Sequence, residues 1–191
     1  MNNNLIQPNQ TLWPPWPATP QFLKIILLFN LFHDYVQRIN SDLVGKYLNI
    51  ASRSASFLKK NNNILSTNID SNIRDNLASK KDEVVSLYES REYSKLVRII
   101  MDLADDVNKY INEQTPWKKD IDEAVDISST AINAFYILSL YLHPIIPSIT
   151  NEAFKFLNNK KVSINNVDEA ITKINDYKPL LNRLEKIIIP E

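Results

Sequence analysis

"VGKYLNIASRSASFLKK", residues 44–60, decides the fold class. Val44, Leu48, Ala51, Ala55 and Leu58 recur at spacings of 4, 3, 4 and 3, which is one face of a helix. Lys46, Asn49, Arg53, Ser56 and Lys60 recur at the same spacing on the opposite face, which is wholly polar, net positive and free of acids. A strand alternates with period two and produces neither row.

The pattern extends in both directions. Upstream, "FLKIILLFNLF" at residues 22–32 is apolar but only eleven residues long and interrupted by Lys24. It falls below the roughly 18 residues that span a bilayer. It also follows an unbasic start unlike a signal peptide, so it reads as a buried or docking segment. Residues 1–20, including "LWPPWPATP", hold five prolines, which block helix and central-strand bonding and predict an extended tail.

Downstream, "NNNILSTNIDSN" is a polar loop. Helices are expected over about 74–90, 91–112 and 117–142. Thr115 is the expected N-cap of the last, with Pro116 at its first position. Within it "AINAFYILSLYL", residues 131–142, is apolar nearly all round and should be the central helix. "HPIIPS" breaks it, and a short helix restarts at Ser148 or Thr150 and runs to about 158. With no convincing strand-period segment, the expected fold is an all-α bundle of four or five helices.

Composition narrows the chemistry. Of 191 residues, 44% are hydrophobic and 23% charged, which fits a globular domain. The absence of cysteine removes disulfides, zinc ribbons and thiol nucleophiles. His33 and His143 would need carboxylates to hold a metal, so no metal site and no catalytic role is assigned to them. The single glycine, Gly45, excludes a Walker A loop and a G-x-G-x-x-G turn. Formal charge is zero but segregated: residues 38–60 carry five cations against Asp42, and residues 120–126 carry four acids and no cation.

"NEQTPWKK", residues 112–119, sets Trp117 on a polar corner between two helices. Tryptophan is highly buried on average, so either the indole folds back into the core or it is offered to a ligand. Asn49 and Arg53, four apart, share a helix face. An amide presents donors and an acceptor to a base edge, and a guanidinium stacks on a base or pairs with phosphate. An exposed indole beside them would suit an unstacked RNA base. The competing expectation is a packed Trp117 and a merely solvated Arg53.

Three stretches, residues 32–58, 88–118 and 140–158, together resemble the anticodon-binding helical domain of bacterial methionyl-tRNA synthetases, a class I aminoacyl-tRNA synthetase family. The motifs N-x-A-S-R (Asn49 to Arg53) and E-Q-x-P-W (Glu113 to Trp117) carry the resemblance. "INDYKPLLNRLEKI" resembles the segment that closes that domain against the rest of the enzyme. The resemblance covers roughly residues 31–188, giving an expected domain over 31–191 and an unmatched segment over 1–30.

It implies that Asn49, Arg53 and Trp117 read the CAU anticodon of tRNA(Met), with Pro116 and Asn112 lining the same pocket. Lys46 and Lys60 are expected on that face. The complete enzyme, cytoplasmic, charges tRNA with methionine using ATP and magnesium. This chain shows neither the H-x-G-H nor the K-M-S-K-S signature nor a zinc insertion. It is therefore expected to bind no cofactor itself, to be inactive alone, and to partner a catalytic domain in cis or in trans. Two alternatives stand: the anticodon domain of a leucine, isoleucine or valine synthetase, or a helical scaffold without tRNA binding that docks through "KIILLFNLF".

Overall fold

A computed structural model describes residues 20–160 and 162–185. The tail expected over residues 1–20 lies outside them, except Pro20. The chain begins as a rod: α1 (Pro20–Arg38), a π-helical segment (Ile39–Leu48) and α2 (Asn49–Lys60) follow without a break. Gly45 suits the wider π turn, because a Cβ there would lie 3.1 Å from the Asn40 carbonyl oxygen.

Next come α3 (Ser71–Ser79), α4 (Lys81–Glu89), α5 (Tyr93–Gln114), a 3-10 turn (Pro116–Lys118), α6 (Ile121–Leu142) and α7 (Pro147–Phe156). The expected helix over 74–90 is thus two helices that share Lys80 as their junction. Asp70 opens the pair earlier than expected, its side chain accepting from the Asn72 N–H at 2.9 Å. Counting the rod as one element and α3–α4 as one, the expected all-α bundle of four or five helices is observed, with five among the described residues. The described residues contain one isolated β-bridge, Ile64 with Lys173, and no strand.

α6 is the axis of the bundle. Residues 127–142 are buried without exception, and α2, α3, α5 and α7 pack around it. Phe135 and Leu138 are fully buried, as their position in the stripe requires. α6 is long and apolar enough to cross a membrane, but nearly all of its surface lies against protein, which identifies a core helix. Tyr47 stacks on Phe135 with ring centroids 4.8 Å apart, and its hydroxyl bonds Ser139 Oγ at 2.7 Å, so a buried phenol is satisfied.

After α7 the chain returns in irregular form along the bundle. Asn133, on the axis, accepts from the Ile171 N–H at 2.8 Å and donates to the Ser129 carbonyl at 2.9 Å. Leu65 N–H donates to the Thr172 carbonyl and Ile174 N–H to that of Asn63. Asn40 exchanges both amide bonds with the backbone of Leu184. The C-terminal segment therefore ties the middle of the rod and the loop that follows its C-terminal end.

The apolar stretch of α1 is not buried where its side chains are described. Leu28 and Leu31 are each 66% exposed, and Phe32 and Tyr35 follow them on the surface. Of the two readings, buried or docking, the buried one is corrected for the described side chains, which stand on the surface.

Candidate nucleic-acid interface

Three residues of the rod face three residues of α5, each pair 59 positions apart. Lys46 Nζ donates to Asp105 Oδ2 at 2.7 Å, Asn49 Nδ2 to Asn108 Oδ1 at 3.0 Å, and Arg53 Nη2 to Asn112 Oδ1 at 2.6 Å. A constant offset means that the two helices run parallel along this seam, so rows of the same spacing meet rung by rung.

This corrects the picture of a free, acid-free cationic face. α5 brings Asp105 to Lys46, and Asp42 lies 3.7 Å away on the other side. The bond to Asp105 raises the Lys46 pKa, so the ammonium stays charged. Asn49 is half-buried, and its partner Asn108 also donates to the Lys46 and Ala104 carbonyls. Of the row, Arg53 stands nearest the exposed corner. Burial pulls its pKa below the ordinary value, though an arginine remains charged at neutral pH.

The corner itself is built by strain. Thr115 does not cap α6: its backbone is left-handed, φ 46° and ψ 58°, and no side-chain cap bond forms. Its N–H closes α5 on the Ile111 carbonyl, and Pro116–Lys118 make a 3-10 turn. Asp120 caps α6 instead, accepting from the Glu123 N–H at 2.9 Å. The expected N-cap fails because α5 runs on through Gln114, leaving one residue to reverse the chain. A β-branched residue held left-handed is a genuine outlier.

The turn buries Pro116 and presents Trp117, 51% exposed. The Arg53 guanidinium carbon lies 5.4 Å from the centre of the indole, within cation–π range. The reading of Trp117 as a core residue is thereby excluded by its exposure, and that of Arg53 as merely solvated by its two partners. Lys60 is exposed and sits over Phe57 at 5.9 Å, beside this group and not in it. Lys46 lies at the far end of the seam.

Sequence reasoning missed Asp105, Asn108, Phe57 and Ser128. The first two carry a readable signal: 105, 108 and 112 repeat the spacing of 46, 49 and 53. Arrangement and charge suit a ligand with flat rings and polar edges. Among the described residues no three His, Asp or Glu side chains cluster as a metal site would need.

The sequence profile of the family described as "Anticodon-binding domain of tRNA ligase" matches residues 70–188, well over half of the chain. The chain belongs to this family. It is 39% identical over 162 residues to the methionine–tRNA ligase of Psychrobacter arcticus, covering 80% of this chain and 23% of that protein. It is 40% identical over 161 residues to that of Neisseria meningitidis serogroup C, with 80% and 24% covered. This member thus spans about a quarter of the length of the relatives it matches.

Two solved structures of Mycobacterium tuberculosis methionyl-tRNA synthetase share the fold. The form bound by methionyl-adenylate gives a TM-score of 0.69 at 19% identity, over 78% of this chain and 33% of that one. The free form gives 0.68 at 20%, over 81% and 34%. An anticodon-binding domain that matches methionine–tRNA ligases is the family the resemblance had indicated.

Proposed function

We propose that this chain recognises the CAU anticodon loop of tRNA(Met) and serves as the anticodon-binding part of a methionine–tRNA ligase. The observation that carries the reading is the Arg53–Trp117 pair: a half-exposed indole, a charged guanidinium 5.4 Å from it, and the amides of Asn49 and Asn112 on the adjoining seam. An unpaired loop base is read by stacking and by hydrogen bonds to its edges. Trp117 supplies the stack, Arg53 a donor fork, and the two amides mixed donors and acceptors. Pro116 seats the turn from below, and Lys60 and Lys46 flank the group as phosphate contacts.

Adenylation of methionine and its transfer to the tRNA terminus belong, on this reading, to a catalytic partner in cis or in trans that takes ATP and magnesium in the cytoplasm. The chain's part is to hold the loop so that the far end of the tRNA reaches that partner. Titration of labelled stem-loops tests the reading. The CAU loop should bind more tightly than loops changed at any anticodon position, and affinity should fall with salt. Equal affinity for all loops would refute it. The chain alone should support no methionine-dependent exchange of pyrophosphate into ATP.

One observation favours a second reading, a docking protein without RNA binding: the exposed Leu28, Leu31, Phe32 and Tyr35 of α1. Exposed apolar surface of this kind marks an interaction site. The same titration separates the two, because a docking protein binds no loop selectively.

A further inference from the structure

α6 carries four buried serine and threonine side chains, and three bond back to the carbonyl four residues earlier. Ser129 donates to Val125 at 2.7 Å, Thr130 to Asp126 at 3.1 Å and Ser139 to Phe135 at 2.6 Å. Ser128, 2% exposed, is the exception: its Oγ is buried and bonded to nothing. A buried hydroxyl without a partner is costly and calls for a reason.

The reason lies beside it. Ser128 lines a cavity of about 20 Å³ whose other walls include Ser54, Phe57 and Pro116 and whose rim is Arg53 and Trp117. That volume holds one water-sized group and excludes a ring. Arg53 is held at the rim by its bond to Asn112 and by the indole.

Building on the anticodon-loop reading above, we propose that Ser128 is a further base-contacting residue of the RNA site. A loop base takes the place of Arg53 against Trp117, and its exocyclic amine or oxygen enters the cavity to bond Ser128 Oγ. The ring stays outside on the indole, as the volume requires. Arg53, displaced from Asn112, becomes free to pair with the loop, and Asn112 is released with it. A hydroxyl is both donor and acceptor, so Ser128 rewards any base with a polar group at that edge and penalises its absence. Arg53, Asn112 and the other groups then distinguish among such bases.

The experiment uses the full chain, Ser128→Ala and Ser128→Val, titrated with the CAU stem-loop and with loops carrying an abasic site at each anticodon position in turn. Ser128→Ala should melt at or above the temperature of the parent, since it removes an unpartnered hydroxyl. It should bind the CAU loop about two- to tenfold more weakly, the range of one net hydrogen bond. That loss should vanish on one abasic loop only, which identifies the seated base. Ser128→Val, whose extra methyl occupies the cavity, should lose more affinity than Ser128→Ala. An unchanged affinity for Ser128→Ala, or the same loss on every abasic loop, overturns the inference while leaving the anticodon reading intact. A lowered melting temperature also overturns it, because the hydroxyl would then be structural. A parent chain that binds no loop selectively overturns both.

Discussion

Trp117→Ala separates recognition from packing more sharply than any other change. The indole is 51% exposed, so about half of the 150–250 Å² an aromatic can bury is shielded. At ~25 cal/mol per Å² that is at most ~2–3 kcal/mol, less once the alanine that remains and a compact unfolded chain are counted. Loss of the Arg53 contact adds about 0.5–1 kcal/mol at such a site. A destabilisation of roughly 2 kcal/mol follows, or about 4–8 °C for a chain of this size. A tryptophan packed in the core would cost about 3–5 kcal/mol. Binding to a CAU stem-loop should weaken by about 1–3 kcal/mol, the worth of one stacked base, which is roughly 5- to 150-fold. Thermal melts and fluorescence titrations on one preparation read both quantities. A folded variant with parental affinity would refute the stacking role. So would an affinity that falls only in proportion to the unfolded fraction.

Asp105→Asn should strengthen stem-loop binding and steepen its salt dependence by about one unit, because it frees Lys46 for phosphate. The ion pair it removes is half-exposed, with a stability cost of about 0–1 kcal/mol on melting. Thr115→Gly should raise stability by up to about 1 kcal/mol, since φ 46° strains threonine and not glycine. Asn133→Ala should cost about 1–3 kcal/mol by leaving the buried Ile171 N–H without its acceptor. Hydrogen exchange should show faster labelling at Ile171 and its neighbours. Burial pushes Tyr88 and Tyr136 up to about 12 in the folded chain, whereas unfolded tyrosine ionises near 10. Above pH ~10 the unfolded state therefore sheds protons that the folded state keeps. The contribution of these two groups should be constant below that pH and be lost between about 10 and 12, as alkaline melts would record.

Much of the fold was legible because α6 and the rod each carry a single period over many residues. The stripe from Ala124 to Leu142 could only be a core helix. Lys80 was not legible as a junction, because it keeps a helical backbone with ψ near zero (φ −82°, ψ −2°), which no turn residue announces. The N-cap was misplaced for a different reason: Thr115-Pro116 has the composition of a cap, and only the continuation of α5 to Gln114 forces Thr115 left-handed. The π segment is equally silent, its one clue being Gly45. Of the candidate site, the neighbours Arg53 and Trp117 followed from pattern and resemblance. Its electrostatics did not, since the positive face was read along one helix while Asp105, the acid that pairs with Lys46, stands 59 residues away.

That seam changes how binding must work. In the RNA-free chain Lys46, Asn49 and Arg53 each already have a partner on α5, so a ligand exchanges bonds and does not simply add them. An exchange of one hydrogen bond for another contributes little net free energy, and the gross affinity must come from the stack on Trp117 and from phosphate contacts. What the exchange supplies is discrimination. A base that replaces every bond it breaks loses nothing, whereas one that cannot leaves Arg53 or Asn112 unpaired beside a partly desolvated indole. Unpaired groups of that kind cost more than a formed bond returns. The rungs nearest Trp117 are therefore where sequence is read. The rung at Lys46, already paired with Asp105, is the weaker phosphate contact and gains strength when that acid is removed.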